Sequence, residues 1–273
     1  MMSKKKPLVS ILINNYNKES FCAKAAESAV RQDYKNIEII FYDDNSSDFS
    51  IDRIKNLKKK LKIKKLKIIE NKNRQSVYSY NQIVGIKKSL TQSKGEIICL
   101  LDSDDFFKKD KIKNVVKYFE KNKSCEILFD RPIYYYSNDL KKEENKIYKI
   151  RNNKWPSFPP TSCISFKKKN INKYLTNICI KKYEDLWFDF RIATYFSIKR
   201  KKFDLINSHL TYYRQNFLNY DKKYIKFLNI AWWKRRNQAF NFLESLDKKK
   251  YKRNVFTFDF IITKLINKLI FFF

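Results

Sequence analysis

The chain of 273 residues contains very little glycine and histidine. Phosphate loops of the P-loop type and the dinucleotide fingerprint both need several glycines at fixed spacing, and only Gly85 and Gly95 are present. A single histidine, His209, excludes zinc sites built on paired histidines. If the protein binds a nucleotide, a site of another kind holds it.

Cysteine pairs and long apolar runs are also missing. The apolar run at residues 8–13 is too short for a signal peptide, and no cleavage site follows it. The cysteines are odd in number and form no C-x-x-C pair, which favours buried free thiols in a reducing compartment over a disulfide framework. They are Cys22, Cys99, Cys125, Cys163 and Cys179. We therefore expect a cytoplasmic protein.

Positive charge, in contrast, is in large excess. The chain has 60 Lys and Arg against 28 Asp and Glu, a formal net charge of +32. A hydrophobic content of 43% and an aromatic content of 16% exclude a disordered basic tail and predict a packed core. Lys, Asn, Ile, Phe and Tyr all have A/T-rich codons, so codon bias can supply many solvated lysines. The positive electrostatic field that these residues still produce favours binding to phosphates on nucleotides, nucleic acids or membranes.

The first half of the chain predicts four βα units. Apolar, β-rich runs at residues 8–13, 37–41, 66–69 and 97–101 each precede a segment of helical spacing, the first opened by Asn17 as an N-cap. Successive βα units indicate an α/β protein with a mostly parallel sheet. After about Cys125 this rhythm breaks into aromatic and proline-containing segments. From about Tyr220 onward the pattern is again helical.

Polar residues follow three of these predicted strands, at 14–17, 43–44 and 102–105. Ligands of open parallel sheets bind beyond the carboxyl ends of the strands. Asp102 and Asp104 flank one residue and can converge on Mg²⁺ or Mn²⁺, which prefer oxygen ligands and share substrate phosphates. One Asp would suffice to cap a following helix, whereas Asp102, Asp104 and Asp105 repel one another unless a cation or protons compensate. For Asp43 and Asp44, a simple turn explains the pattern better.

The motifs in their order resemble the family 2 glycosyltransferases of the GT-A fold. The resemblance rests on Val-Ser-Ile-Leu-Ile-Asn-Asn-Tyr-Asn-Lys (9–18), Tyr-Asp-Asp-Asn-Ser-Ser-Asp (42–48) and Gly-Glu-Ile-Ile-Cys-Leu-Leu-Asp-Ser-Asp-Asp (95–105). Thr161-Ser162, Glu184-Asp185 and Leu-Thr-Tyr-Tyr-Arg-Gln (210–215) extend it to residues 8–216. It implies a GT-A-like domain at 1–216, with a Rossmann-like sheet flanked by helices. Residues 7–125 would form its nucleotide-sugar half, 126–216 its acceptor half and 217–273 a helical extension.

The resemblance also implies roles for individual residues. The nucleotide sugar would be bound by Asn14, Tyr16, Asp44, Arg74, Asn81, Asp102 and Ser103, with Asp44 as partner of the base. The metal ligands would be Asp104 and Asp102, in the D-x-D motif. Asp185 would be the general base with Glu184 as second choice, although this pair could simply begin a helix. Arg214 would pair with the pyrophosphate.

The function expected from these residues is inverting, metal-dependent sugar transfer with Mn²⁺ or Mg²⁺. A nucleoside-diphosphate sugar, expected to be a UDP-sugar, would donate to a glycan or lipid-linked acceptor in surface polysaccharide synthesis. Two alternatives stay open. A basic nucleic-acid-binding protein would use the charge and the aromatic residues, but acids at strand ends repel phosphates, so no nucleic-acid partner is expected. A metal-dependent nucleotidyltransferase shares the acids and would release pyrophosphate.

The C-terminus carries apolar residues at helical spacing: Phe258, Ile261, Ile262, Leu265, Leu269 and Phe272. Its uninterrupted apolar stretch is shorter than the roughly 20 residues that span a bilayer. This pattern predicts a helix that either lies on a membrane surface or packs on the catalytic domain. The first possibility would place the protein at the inner face of the cell membrane.

Overall fold

A computed structural model describes residues 6–136, 141–143, 148, 157–199, 202–215, 229–247 and 257–270. Its first half alternates strands and helices. These are β1 (Val9–Asn15), α1 (Cys22–Val30), β2 (Ile37–Asp43), α2 (Ser50–Lys60), β3 (Leu66–Glu70), α3 (Tyr78–Gln92), β4 (Ile97–Asp102), β5 (Phe106–Phe107) and α4 (Lys111–Lys121).

The second half is less regular. It contains β6 (Ile127–Tyr136), β7 (Lys141–Glu143), β8 (Ile164–Lys167), α5 (Lys168–Ile171), α6 (Leu175–Ile178), α7 (Phe188–Ile198), β9 (Phe203–Gln215), α8 (Ile230–Leu246) and α9 (Phe258–Ile270). Short 3₁₀ turns lie at Thr161–Cys163 and Lys181–Tyr183. The helical pattern predicted from about Tyr220 is confirmed at Ile230–Leu246 and Phe258–Ile270, and its remaining parts lie outside the described residues.

All nine strands belong to one sheet, in the order β3-β2-β1-β4-β8-β6-β9-β5, with β7 paired to β6. The pairings of β1 with β2 and β4, and of β2 with β3, are parallel, as predicted. Beyond β4 the sheet is mixed, because β8 runs antiparallel to both β4 and β6 while β9 runs parallel to β6. The predicted α/β class with a GT-A-like sheet is confirmed.

Both faces of the central strands are covered. Ile11 and Ile13 of β1 belong to a buried cluster with residues of α1, α2 and α4, such as Ala25. Leu12, pointing to the opposite face, belongs to a second cluster with Ile83 of α3 and Phe242 of α8. Parallel strands that are buried on both faces have continuous apolar sequences. This explains why residues 8–13 are all apolar except Ser10.

The predicted start of the first helix is wrong. Helix α1 begins at Cys22, and Asn17 has a left-handed backbone conformation with φ of 49°. Its Oδ1 accepts a hydrogen bond from the backbone N–H of Ser47 at 2.8 Å. Asparagine tolerates this conformation because its short amide bonds locally. Asn17 therefore joins two strand-end loops and does not cap the helix.

Two further expectations concern thiols and membrane spans. All five cysteines are free and buried, as predicted. Across the described parts of the chain, no helix combines the length and apolar character needed to cross a bilayer. The predicted domain boundaries at residues 125 and 216 stay predictions.

Candidate active site

A cavity of about 580 Å³ opens at the carboxyl ends of β1, β2 and β4 and is closed on its far side by β9, α7 and α8. Parallel pairing places the strand-end residues side by side, since Asn14 is in register with both Tyr42 and Asp102. Among the residues predicted for the site, those that line this cavity are Asn14, Tyr16, Asp44, Asn81, Asp102, Ser103, Asp104 and Arg214.

One wall of the cavity is built around Asp44. Its carboxylate accepts hydrogen bonds from Asn71 Nδ2 at 2.8 Å and from Arg74 Nε at 3.0 Å. The Arg74 guanidinium also lies 3.6 Å from the centre of the Tyr16 ring. Burial raises the pKa of Asp44, and Asn71 and Arg74 oppose that rise. Arg74 does not line the cavity itself but holds two residues that do.

Asp43 is next to Asp44 but has a different environment. Its carboxylate accepts hydrogen bonds from Asn15 Nδ2 at 2.7 Å and from Ser46 Oγ at 2.6 Å. The backbone N–H of Ser46 donates to the other carboxylate oxygen at 2.9 Å. These bonds close the turn after β2, so the turn interpretation fits Asp43, while Asp44 faces the cavity.

Asn14 presents a buried acceptor that lacks a partner. Its Oδ1 has no hydrogen bond within the part of the chain that the structure describes, and the residue lines the cavity. Gly85 of α3 packs against it so closely that an added Cβ would lie 2.7 Å from this oxygen. Buried polar atoms are nearly always satisfied, if not by protein then by water or ligand. The Asn14 oxygen is thus suited to receive an N–H or O–H from a bound molecule.

Asn81 acts on the loop before α3. Its Oδ1 accepts from the backbone N–H of Gln75 at 2.9 Å, and its Nδ2 donates to the Gln75 carbonyl at 2.8 Å. Both the carbonyl oxygen and the amino nitrogen of this side-chain amide are therefore hydrogen-bonded to the backbone of the loop. Asn81 fixes the loop that carries Arg74.

The two acids of the D-x-D motif have different partners. Asp104 Oδ2 lies 2.6 Å from the Lys18 ammonium, and the Asp104 side chain is 25% exposed. Asp102 accepts hydrogen bonds from Gln82 Nε2 at 3.1 and 3.3 Å. Burial, followed by repulsion from Asp104, raises the pKa of Asp102 to about 7. The motif therefore concentrates negative charge that a single lysine only partly balances.

Asp105 lies beneath the motif and does not line the cavity. It accepts hydrogen bonds from Ser162 Oγ at 2.5 Å and from the backbone N–H of Arg214 at 2.8 Å. The Arg214 guanidinium donates to the Asp104 carbonyl at 3.0 Å. Burial and the neighbouring acids Asp104 and Asp102 raise the pKa of Asp105 well above its ordinary value. Asp105 thus ties the end of β4 to β9.

A buried ion pair supports this region from below. Lys111 Nζ lies 2.9 Å from Asp130, and it also donates to the Ser162 carbonyl at 2.7 Å and to Thr211 Oγ1 at 2.6 Å. Thr211 in turn donates to Asp130 at 2.8 Å. Both charged side chains are almost fully buried, and their partners come from α4, β6, β9 and the Thr161–Cys163 turn.

The donor set around Asp104 fits a hard divalent cation that shares its other ligands with a substrate. The Lys18 ammonium, 2.6 Å from Asp104, shows that this carboxylate attracts a cation, and the surrounding acceptors are all oxygens. Within the described ranges, no cluster of three or more His, Cys, Asp or Glu residues is arranged to hold a metal alone. Substrate phosphates and water would have to complete the coordination.

Glu184 and Asp185 lie behind the cavity wall, just before α7. Asp185 is paired reciprocally with Gln238 of α8, since its N–H donates to Gln238 Oε1 and its carboxylate accepts from Gln238 Nε2, each at 2.9 Å. Lys234 Nζ lies 3.8 Å from Asp185 and 4.0 Å from Glu184. The cavity is lined instead by the next residues, Leu186 and Trp187.

Several cavity residues escaped the sequence analysis. Asp189 lines the cavity, and its charge contributes to the raised pKa of Asp102. Asp185 lies outside α7, which begins at Phe188, so no helical spacing links the two acids. Others include Lys18, Gln82, Trp187, Trp232 and Arg235. Lys18 is the last residue of the motif at 9–18, so its position was the available signal.

The family model described as "Glycosyl transferase family 2" matches residues 10–206. A relative in Escherichia coli, named as the UDP-Glc:alpha-D-GlcNAc-diphosphoundecaprenol beta-1,3-glucosyltransferase WfaP, is 38% identical over 133 residues. That alignment covers 49% of this chain and 48% of the relative, so the chain matches about half the relative's length. A second relative is the GalNAc(5)-diNAcBac-PP-undecaprenol beta-1,3-glucosyltransferase of Campylobacter jejuni. It is 31% identical, over 36% of this chain and 30% of its own length.

Solved structures share the fold. The S. aureus TarS fragment 1–349 in complex with UDP-GlcNAc has a TM-score of 0.64 at 15% identity, covering 88% of this chain and 67% of that chain. The mannosyltransferase PcManGT from Pyrobaculum calidifontis, in complex with GDP-Man and Mn²⁺, has a TM-score of 0.58 at 14% identity. It covers 87% of this chain and 64% of the other. At these identities the likeness concerns the fold alone.

Proposed function

Because this chain belongs to glycosyl transferase family 2 and is a glycosyltransferase, we propose that it transfers a sugar, with inversion, from a UDP-sugar to a lipid-linked or glycan acceptor. One observation carries the proposal. The strand ends of β1, β2 and β4 bring an unpaired buried acceptor, Asn14, together with the carboxylates of Asp44, Asp102 and Asp104 around one cavity. Relatives named for diphosphoundecaprenol acceptors support a lipid-linked acceptor and a role in surface polysaccharide synthesis.

The nucleoside would bind along the wall formed by Asn14, Tyr16 and Asp44. Uracil in UDP offers one N–H donor, which either the Asn14 oxygen or the Asp44 carboxylate can accept. Arg74 donates a hydrogen bond to Asp44, and its guanidinium lies over the Tyr16 ring. Ser103, buried at the strand end, would border the ribose together with Asp102.

The diphosphate would lie over Asp104, with Asp102 close by and Arg214 on the other side. Mn²⁺ or Mg²⁺ held by Asp104 would balance the charge that grows on the leaving diphosphate, which lowers the barrier more than it strengthens ground-state binding. Lys18 would have to leave Asp104 when the cation binds, and its ammonium would then be available to the same phosphates. Arg214 donates a hydrogen bond to the Asp104 carbonyl and also lines the cavity.

The acceptor hydroxyl needs a base, because it is a poor nucleophile until it loses its proton. Asp185 is our candidate, with Glu184 as the second choice, and its hydrogen bond from Gln238 holds the carboxylate in a fixed orientation. One carboxylate suffices for direct displacement with inversion. The aromatic side chains of Trp187 and Trp232, on the same side of the cavity, suit the apolar face of a sugar.

The place of action proposed for the protein is the cytoplasmic face of the cell membrane, in contact with the bilayer through the C-terminal helix. A lipid-linked acceptor is confined to the membrane, so an enzyme that uses it must reach the bilayer surface. Nucleotidyl transfer shares the acids but has a different product. Release of UDP, in place of pyrophosphate, distinguishes sugar transfer from it.

The test is a thermal-shift screen of nucleoside diphosphates with and without Mn²⁺, comparing the parent with Asp104→Asn. Ligand binding raises the melting temperature by mass action. We expect UDP with Mn²⁺ to stabilise the parent, and Asp104→Asn to lose the Mn²⁺-dependent part of the shift while keeping its fold. Asp33→Asn, which removes an exposed carboxylate elsewhere, is the matched control. An unchanged Mn²⁺-dependent shift in Asp104→Asn rejects the metal assignment, and no response to any nucleotide rejects the proposed donor.

A further inference from the structure

Helix α9 has its apolar side turned outward. Four large apolar side chains along one stripe of the helix are exposed: Phe258 by 79%, Ile261 by 43%, Leu265 by 55% and Leu269 by 60%. Residues three and four apart lie on one face of a helix, so these four form a continuous strip. We call it the α9 apolar stripe. A surface helix of a soluble protein normally turns such a stripe toward the core.

The face of α9 that packs on α8 is mixed, because Phe260 packs edge to face against Phe240 of α8 while the most buried positions are polar. Its fully buried residues are Thr263 and Asn267. Asn267 Nδ2 donates to the Trp233 carbonyl at 3.0 Å, and Lys264 Nζ donates to Asn237 Oδ1 at 2.8 Å. These bonds between specific groups fix which side of α9 faces the protein. The outward direction of the stripe is therefore part of the way the two helices dock.

A second polar link joins α9 to the cavity wall. Asp259, in the first turn of α9, forms a two-point ion pair with Arg236 of α8, with Arg236 Nε 3.0 Å from the carboxylate. Arg236 also lines the cavity, together with Trp232 one turn earlier. The first turn of α9 is thus joined directly to a residue of the cavity lining.

We propose that the α9 apolar stripe lies in the surface of an anionic bilayer and holds the cavity next to it. The 13-residue helix is about 20 Å long, too short to cross the hydrocarbon core, so it would lie in the plane of the interface. Lys268 is exposed beside Leu265 and Leu269, where its ammonium can reach lipid headgroups while its stem stays among apolar groups.

Charge decides between a bilayer and a second copy of the chain as the partner of this stripe. Each copy carries a formal charge of +32, and residues 248–253, just before the helix, contain five Lys and Arg. Two such surfaces repel each other, whereas an anionic membrane attracts polybasic segments. The proposal rests on the membrane contact proposed above and deepens it by naming the surface and the lipid charge, and it is separable from sugar transfer because binding to lipid requires neither donor nor acceptor. If the acceptor is lipid-linked, the same docking would present it to the cavity.

The experiment is vesicle sedimentation of the full chain, using phosphatidylcholine with or without about one third phosphatidylglycerol. The variant Leu265→Gln/Leu269→Gln removes half of the stripe and keeps good helix formers. The control, Phe49→Gln/Leu61→Gln, removes two other exposed apolar side chains, which are 68% and 40% exposed. We expect the parent and the control to bind the anionic vesicles and the α9 variant to bind at least about tenfold more weakly.

Three results would overturn the proposal: no binding of the parent to anionic vesicles, equal binding of the α9 variant, or a parent dimer in lipid-free solution that the α9 variant makes monomeric. The last result would identify a second copy as the partner. The UDP thermal shift is measured on every variant in parallel. A normal UDP shift with lost vesicle binding confines the defect to the membrane surface, whereas intact vesicle binding without a UDP shift contradicts the proposed function alone.

Discussion

At the scale of single residues, hydrogen-bond partners separate the roles of neighbouring acids. Both carboxylate oxygens of Asp43 accept hydrogen bonds from Ser46 in the turn after β2, and one of them also accepts from Asn15. Asp104 reaches the cavity and is joined to Lys18, whereas Asp105 is buried and joined to Ser162. A carboxylate whose partners are backbone or turn groups supports the fold, and one that is paired with a lysine ammonium at the cavity can exchange that partner for a ligand.

The same reasoning leads to a prediction about the general base. Asp185→Asn should keep UDP binding and lose about 10²–10⁴ in the rate of sugar transfer, because an amide keeps the bond to Gln238 but cannot take up a proton. The measurement is initial-rate UDP release beside the UDP thermal shift. Asp189→Asn is the comparison, since that residue lines the cavity and Asp185 stands behind its wall. Near-normal turnover of Asp185→Asn with loss in Asp189→Asn would transfer the base assignment to Asp189, and loss only in Glu184→Gln would transfer it to Glu184.

At the scale of elements, the two glycines sit where chain segments approach too closely for a side chain. A Cβ at Gly95 would lie 2.4 Å from Ser10 Oγ and 2.5 Å from the Ser10 backbone nitrogen. A Cβ at Gly85 would meet only side chains, those of Asn14 and Tyr42, each at 2.7 Å. Backbone of a central strand cannot move aside as a side chain can, so the two positions differ in what an alanine disturbs.

Gly95→Ala is therefore expected to be the more destabilising of the two substitutions, at or above the usual cost of overpacking, about 1–3 kcal/mol. Gly85→Ala should cost less stability but weaken UDP binding, because it displaces the Asn14 oxygen that faces the cavity. Urea unfolding gives the first quantity and the UDP thermal shift the second. The reverse order of stabilities, or normal UDP binding by Gly85→Ala, would contradict this account of the close contacts.

The ion pair of Lys111 and Asp130 connects α4 and β6 under the site, and it predicts a strongly non-additive pair of mutations. Lys111→Met leaves a buried carboxylate uncompensated and should cost about 3–5 kcal/mol of unfolding free energy. In Lys111→Met/Asp130→Asn no unpaired charge remains, and we expect at least half of that loss to be recovered. Urea unfolding of both single variants and the double variant gives the coupling energy. Additive losses would mean that the pair contributes no more than its separate hydrogen bonds.

At the scale of the whole molecule, the formal charge of +32 coexists with a cavity that gathers carboxylates. The positive surface attracts any polyanion without regard to its structure, since that interaction follows the long-range field. The cavity, in contrast, carries charges of both signs, because Lys18, Arg214, Arg235 and Arg236 line it beside the acids, and a phosphate is held there only beside those cations. Attraction to the surface and occupation of the site are therefore separate properties.

This separation predicts how the protein should treat nucleic acid. A labelled oligo(U) strand is expected to bind weakly at low salt and to lose at least about tenfold in affinity between about 50 mM and 200 mM salt, as surface contacts with phosphates do. Excess oligo(U) should leave the Mn²⁺-dependent UDP shift unchanged. Fluorescence anisotropy measures the affinity for oligo(U), and the thermal shift measures UDP binding. Salt-resistant binding that competes with UDP would favour a nucleic-acid function.

The sequence by itself determined the order of the first four βα units and the position of the polar residues at their strand ends. Both are local properties, because apolar runs bounded by polar turns define strands and right-handed βαβ connections bring the strand ends to one edge. Asn14, Asp44, Asp102 and Asp104 consequently meet at the cavity as the motifs indicated. The mixed second half of the sheet could not be derived in this way, since strand pairing there joins segments distant in the chain.

Only the tertiary structure decided which groups meet across such distances. The contacts of Lys18 with Asp104 and of Gln238 with Asp185 join residues far apart in sequence, and no periodicity records them. For α9, the apolar spacing of Phe258, Ile261, Leu265 and Leu269 is equally compatible with a stripe turned inward or outward. The hydrogen bonds that α8 offers to the polar face of α9 settled that orientation, because a buried amide such as that of Asn267 is stable only where it finds partners.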